Sequence, residues 1–196
     1  MKRVPKSATS PSRSSGQVRV IAGQWRGRKL PVKNAEGLRP TTDRTKETLF
    51  NWLMHDLANS RCLDAFAGSG GLGIEALSRY AQECVFIEAD KSVANELSKN
   101  LQLLKANGRV IHQTSPSAFN SLEGKFDIAF IDPPFNKGLV VPTIDALIEN
   151  ALLNVGAKIY VEQEASTPMP AVDSRFDLIK EKSTKALSYA LYEYLG

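Results

Sequence analysis

The sequence predicts an α/β fold: a mostly parallel sheet of seven strands with helices on both faces, a C-terminal antiparallel hairpin, and a small basic β-hairpin at the N-terminus. Three observations predict it. Between residues 61 and 162, short apolar runs alternate with amphipathic stretches, the pattern of parallel strands joined by right-handed helical crossovers. Two extended runs, 175–181 and 187–194, then follow one another with no helix between them and pair at the sheet edge. Before residue 40, basic residues interleave with Val18, Val20, Ile21, Trp25, Leu30, Pro31 and Val32, as expected of short strands in an ordered hairpin.

Each element follows from a local signal. Residues 1–16, dominated by Ser, Pro and Lys, build no core and are expected to form a disordered basic tail. The hairpin occupies 17–40, with a linker within 33–40, and the main domain runs from 41 to 196. Thr41-Thr42-Asp43 caps a helix whose Leu49, Phe50, Trp52, Leu53 and Leu57 recur at helical spacing until Asn59-Ser60. Then come strand 61–66, helix 72–80, strand 84–88, helix 91–106, strand 109–112, a short helix near 116–121, strand 126–131, helix 139–151 and strand 156–162.

With 196 residues, 42% hydrophobic, the chain has the size of one domain with a small appendage. No run approaches the roughly 18 apolar residues of a membrane helix, and the N-terminus has no apolar signal region, so a soluble cytoplasmic protein is expected. Cys62 and Cys84 lie in apolar runs without metal or redox spacing and read as buried free thiols. The net charge of +4 conceals a division: residues 1–46 carry twelve Lys and Arg against two acids, while the remainder is acidic on balance. A polyanionic partner met by the N-terminal part is the expectation.

The segment Asp64 to Gly73 follows a strand and opens a helix, and Gly68, Gly70 and Gly73 have the GxGxxG spacing. Such glycines let backbone turn tightly beside a ligand, although a tight strand-to-helix turn or a dinucleotide site uses them equally. Glu88, at the end of the second sheet strand, stands where doubly wound folds place a carboxylate for ribose hydroxyls. Asp90 is its rival and better suited to capping the next helix. Asp64, just before the glycines, would repel a pyrophosphate yet pair with a ligand bearing an ammonium group, such as S-adenosyl-L-methionine.

Asp132-Pro133-Pro134-Phe135 ends the fourth sheet strand at the edge where open α/β sheets bind ligands. Two prolines remove two backbone donors, leaving carbonyls to point elsewhere. Asp132 and the Pro133 carbonyl suit the hydrogens of an exocyclic amine, and Phe135 suits the face of a planar base. The ordinary alternative is a strand-ending turn with Phe135 in the core.

These residues carry a resemblance to the class I S-adenosylmethionine-dependent methyltransferases, which have Rossmann-like folds, and more narrowly to the RsmD family. The similar pieces are RVIAGQWRGRKLP (19–31), LRPTTDRTKETLFN (38–51), LDAFAGSGGLGIEALSR (63–79), FIEAD (86–90), IDPPF (131–135) and IYVE (159–162). The resemblance implies methylation of the exocyclic N2 of guanine 966 in 16S rRNA of the small ribosomal subunit, in assembled or assembling particles, by a monomer that needs no metal. It also implies a cofactor site from Arg39, Thr41, Asp64, Ala65, Phe66, Gly68, Ser69, Gly70, Glu88, Ala89 and Asp132, and a target-base site from Asp132, Pro133, Pro134 and Phe135. Ser117 and the Ala118 amide replace the adenine-binding acid that many relatives carry after the third strand. RNA contacts fall to Arg19, Arg26, Arg28, Lys29 and Arg44.

Two other readings share parts of this pattern. A DNA adenine-N6 methyltransferase would use the same DPPF element but needs a target-recognition segment for which the chain has little length. A non-catalytic RNA-binding protein on the same fold would keep the basic arm, whereas intact Asp64, Glu88 and Asp132 favour an enzyme. His112, His55, Trp52 and the tyrosines Tyr189, Tyr192 and Tyr194 read as structural, the tyrosines as edge packing. Trp25 suits a nucleotide face or a contact with Leu30 equally.

Overall fold

A computed structural model describes residues 16–33, 42–170, 172 and 174–196. The tail before Gly16, the linker after Lys33, and both Arg39 and Thr41 therefore lie outside the described residues. Two strands, β1 (Gly16–Arg19) and β2 (Lys29–Val32), pair antiparallel, with Val18 opposite Leu30. The rest alternates α1 (Asp43–Trp52), β3 (Arg61–Asp64), α2 (Gly71–Ser78), β4 (Glu83–Glu88), α3 (Lys91–Leu104) and β5 (Gly108–His112). A 3-10 turn (Ser117–Ser121), β6 (Phe126–Ile131), α4 (Val140–Glu149), β7 (Leu153–Glu164), β8 (Phe176–Ser183) and β9 (Leu187–Tyr194) complete it.

The seven-stranded sheet has the order β5-β4-β3-β6-β7-β9-β8, parallel except for β9, which runs antiparallel to both neighbours. Alternation along each strand divides the core into two layers. One face carries Cys62, Phe86, Phe130, Tyr160, Tyr189 and Leu191, covered by α1, α2, α3 and the basic hairpin. The other carries Leu63, Val85, Ile131, Val161, Ala190 and Tyr192, covered by α4 and the 3-10 turn. No helix among the described residues is long and apolar enough to cross a membrane.

Three expectations shift. The first helix ends at Trp52, although Leu53 and Leu57 stay buried as their spacing requires, because residues 53–60 continue as three-residue turns with Asp56 N–H donating to Leu53 O and Ser60 N–H to Leu57 O. The last strand is interior, because β9 inserts between β7 and β8, so Tyr189 and Tyr192 are core residues. Trp52 is half-buried, with its ring centroid 5.5 Å from that of Tyr189. As expected, Thr42 caps α1 by accepting from Thr45 N–H (3.2 Å), Asp90 caps α3, and both cysteines are buried and free, side by side on β3 and β4. Burial holds the Cys62 thiol up at about 12.

The hairpin is clamped to α2 by polar groups buried against it. Glu75 accepts the N–H groups of Ile21 (2.8 Å) and Ala22 (3.0 Å), and Arg79 donates to the same carboxylate. Ser78 donates to Ala22 O (2.6 Å) and accepts from Trp25 N–H (3.1 Å), and the buried Lys46 reaches Arg19 O (2.7 Å). Desolvation pushes the Lys46 ammonium below its ordinary range, against the Glu75 charge. Trp25 packs on the core beneath it.

Two glycines at the start of α2 are required for different reasons. Gly70 caps the helix in a left-handed conformation (φ +79°), which a Cβ would disfavour. Gly73 is a packing glycine, since a Cβ there would stand 2.2 Å from the Phe86 ring and 2.8 Å from Cys84 Sγ on β4. Gly73→Ala should therefore lower unfolding stability by about 1–3 kcal/mol in guanidinium titration, since overpacking outweighs the helix-propensity gain of at most about 1 kcal/mol.

Candidate active site

Strand order reverses between β3 and β6, so a crevice opens above their carboxyl ends. Three acids stand there. Asp64 is the last residue of β3, Glu88 the last of β4, and Asp132 the first beyond β6. The alternation that sends Cys62, Phe86 and Phe130 to the helix α2 face carries all three to the same side. With β3 between the other two strands, Glu88 and Asp132 stand about 10 Å apart across the sheet.

The turn joining β3 to α2 is held from both ends. Ala65 N–H donates to Phe130 O (3.0 Å), Ala67 N–H to Ile87 O (2.9 Å) and Gly70 N–H to Ala67 O (2.7 Å). Gly68 turns with φ +50° and gives its N–H to Glu88 Oε2 (2.8 Å), while Asp90 N–H fills Glu88 Oε1 (2.7 Å). The Glu88 carboxylate is thereby fixed in direction, and each oxygen keeps a second lone pair. Asp64, fully buried, accepts the Gly73 N–H in the first turn of α2 (2.9 Å). Desolvation pushes its carboxyl up to about 7, helped by the Glu88 charge and opposed by the Gly73 amide. Ser69 and Phe66 are half-buried beside the turn, Phe66 packing toward the second layer. Ala89 is exposed and its carbonyl meets His112 Nε2 (3.1 Å).

On the other side of the crevice Pro133 is buried, Pro134 exposed, and Asp132 and Phe135 half-buried. The loop is latched from β7, where Glu164 accepts the N–H of Asn136, a residue in the left-handed region (φ +59°). Beneath it, the buried Tyr160 donates to Glu162 (2.6 Å) one strand away from Asp132. Burial, then the Glu162 charge, raises the Tyr160 hydroxyl well above its ordinary range.

The exit of β5 carries Ser117 and Ala118 in a tightly bonded turn. Ala118 N–H donates to Thr114 O (3.1 Å), four residues back, just ahead of the 3-10 turn 117–121. The exposed Ser117 hydroxyl donates to Thr114 O (2.8 Å). Arg44 is exposed in the first turn of α1. Arg19 and Lys29 face each other across the hairpin. Arg26 and Arg28 sit in its turn by Ser78, one α2 length or about 12 Å from the glycines. Two open polar depressions of about 310 and 460 Å³ lie at the opposite, amino-terminal edge of the sheet. The Lys158–Asp56 and Arg61–Glu83 pairs neutralise charge there, so strand ends rather than cavity size locate the site.

Residues 18–193 match the family model described as "Conserved hypothetical protein 95". The Haemophilus influenzae protein named ribosomal RNA small subunit methyltransferase D is 52% identical over 185 residues, covering 92% of this chain and 95% of that protein. Its Escherichia coli namesake is 49% identical over 180 residues, 91% of each chain. The chain belongs to the RsmD family. The solved Escherichia coli yhhF structure superposes with a TM-score of 0.85 at 47% identity, over 92% of this chain and 99% of that one. RsmD membership makes this chain a methyltransferase, and its Rossmann-like sheet with C-terminal antiparallel hairpin is the family's fold. Glu75, Ser78 and Lys46 escaped the sequence reading. For Glu75 and Ser78 the signal is that apolar Leu72, Ile74, Ala76 and Leu77 occupy every side of the helix, so polar groups on it face a second packing layer; Lys46 on α1 carries no such signal.

Above its pKa of about 7 the folded state bears a buried Asp64 charge, while the unfolded carboxyl ionises near 3.8. Between about 3.8 and about 7 the native protein thus holds a proton that the unfolded chain has lost, and stability falls as pH rises through that window. Asp64→Asn keeps an acceptor for Gly73 and removes the ionisation. Its stability relative to the unsubstituted protein should rise by about 2–3 kcal/mol between pH 5 and pH 8 in urea titrations.

Proposed function

We propose that the chain methylates the exocyclic N2 of a guanine in 16S rRNA, guanine 966 by family resemblance, with S-adenosyl-L-methionine as donor. The observation that carries this reading is the convergence of Asp64, Glu88 and Asp132 on one side of the β3–β6 crevice, with a glycine turn at one wall and a DPPF loop at the other. The relatives' name supplies rRNA of the small subunit as the substrate class.

The residues present fit the donor. Glu88, pre-aligned by two amides, has free lone pairs for two ribose hydroxyls, and Gly68 and Gly70 bring backbone close without a Cβ. Asp64, with its carboxyl pushed up to about 7 when alone, gives up the proton it retains on meeting an ammonium group and holds that group by charge. Ala65, Phe66, Ser69 and Ala89 line the same turn and strand end; Ser117 offers its hydroxyl at the adenine side, and Arg39 and Thr41 belong to the site by resemblance. When bound, the donor supplies an electrophilic methyl group on a sulfonium.

The chain's own contribution is alignment and charge. Asp132 and the Pro133 carbonyl accept the two hydrogens of the guanine amine, turning its lone pair toward the methyl group, and Phe135 stacks on the base. Pro133 and Pro134 hold the loop rigid, and the Glu164 latch on Asn136 fixes its far end. Positive charge developing on nitrogen is stabilised by the Asp132 carboxylate. The target must be unpaired or flipped out. Arg19, Arg26, Arg28, Lys29 and Arg44 meet flanking phosphates. The protein acts as a cytoplasmic monomer on an assembled or assembling subunit.

Labelled methyl transfer to small-subunit particles lacking the modification, naked 16S rRNA and duplex DNA, followed by nucleoside analysis, tests the reading. N2-methylguanosine is expected, with none in DNA; N6-methyladenine in DNA overturns it in favour of the DNA enzyme. Asp132→Ala should cut transfer at least 100-fold while RNA affinity stays within about threefold.

A further inference from the structure

The geometry points to a second RNA-phosphate surface, formed by Lys180, Lys182 and Lys185 of the β8–β9 hairpin, on the opposite flank of the crevice from the basic N-terminal hairpin. It rests on the RNA reading above and adds where the substrate strand continues beyond the target base.

The β8 edge strand sorts its charges by a bulge. Leu178 stands opposite Tyr192, a residue of the α4 layer, and in regular alternation Lys180 and Lys182 would share that side. Instead the register shifts between Leu178 and Lys180. Lys180 then faces Leu191 and Lys182 faces Tyr189, both of the layer that carries α1 and the basic hairpin, while Glu181 faces Ala190 on the other side. Residues opposite one another in an antiparallel pair share a face, and one extra residue inverts every side chain that follows. The extra Ile179 therefore puts both lysines on the hairpin's side of the sheet and turns Glu181 away. Burial, and after it the Glu181 charge on that other face, raises the Tyr192 hydroxyl above its ordinary range.

Position along the strand points the same way. β8 runs parallel to β7, so Lys182 and the turn bearing Lys185 sit at the carboxyl edge, beside Ala165, whose N–H donates to Ala186 O. Of the acids facing the same side, Asp177 and Glu193 sit at the far end of the strand pair, where Glu193 is paired with Lys158 (2.8 Å), while on β7 Glu162 is buried and accepts from Tyr160 and Glu164 accepts the Asn136 N–H. Lys180, Lys182 and Lys185 are exposed and form no ion pair among the described residues. Lys182 is three strands from Asp132, about 14 Å, a distance spanned by roughly four nucleotides at about 3.4 Å each. A strand whose target base enters the crevice can thus rest phosphates on these lysines while its other side lies along Arg19 and Arg44.

The test measures affinity of the full chain for naked 16S rRNA against salt concentration. The Lys180→Gln/Lys182→Gln/Lys185→Gln protein should show a log–log slope shallower by about 2, from three contacts at about 0.7 each, with donor affinity and kcat at saturating RNA unchanged. A triple variant with the parental slope, while Arg26→Gln/Arg28→Gln flattens it, overturns this surface and leaves the RNA reading standing. A defect seen with complete particles but absent on naked RNA assigns the lysines to a protein partner and also overturns it. A parental protein with neither salt-dependent RNA binding nor transfer overturns both.

Discussion

The hydrogen bond from Gly73 N–H to the buried Asp64 carboxylate is the constraint on which the site depends. It ties the end of β3 to the first turn of α2, so the chain has only eight residues, 65–72, in which to leave the sheet and enter the helix. That short span forces the left-handed turns at Gly68 and Gly70, and it delivers the Gly68 amide to Glu88. Two carboxylates are thus oriented by one backbone turn. One has its ionisation moved by burial to about pH 7 and the other is held in direction by two amides, an arrangement that suits the proposed donor, with its ammonium group and its diol.

The same helix carries a second load. One turn beyond the glycines, Glu75 and Ser78 fasten the basic hairpin through backbone amides and a carbonyl, so the hairpin is registered against the site through a rigid element only eight residues long. Its exposed cations project from a surface whose inner side, Val18, Val20 and Leu30, is ordinary core. The cost is a buried carboxylate and a buried ammonium, Glu75 and Lys46, offset by hydrogen bonds to otherwise unpaired backbone groups. The DPPF loop, by contrast, is fastened to the opposite half of the sheet through Glu164. The crevice therefore lies between two independently braced walls.

Most of this fold is legible in sequence because the strands and helices are short, differently patterned and separated by glycines or caps. Thr42 and Asp90 are read correctly as caps since their side chains act within three residues. What is not legible depends on distant partners. The insertion of β9 beside β7 makes Tyr189 interior, and no local pattern distinguishes it from an edge strand. Gly73 satisfies a ligand-binding spacing yet owes its identity to the Phe86 ring thirteen residues on. The Ala118 amide is bonded to Thr114 O, a local closure that the residue types there do not announce. In the same way the β8 bulge, which decides where the lysines point, is invisible until pairing with β9 sets the register.

The central claim is that Asp64 and Glu88 bind a cationic adenosyl donor, Asp64 through its ammonium group. Calorimetric titration of S-adenosylmethionine near pH 6.5, in buffers of different ionisation enthalpy, measures the protons exchanged on binding. Because Asp64 is mostly protonated there and an ammonium partner stabilises its ionised form, the account predicts release of about half a proton or more per donor bound. That release should vanish in Asp64→Asn. Tight binding with no proton released, or with the same release in the variant, would contradict the account.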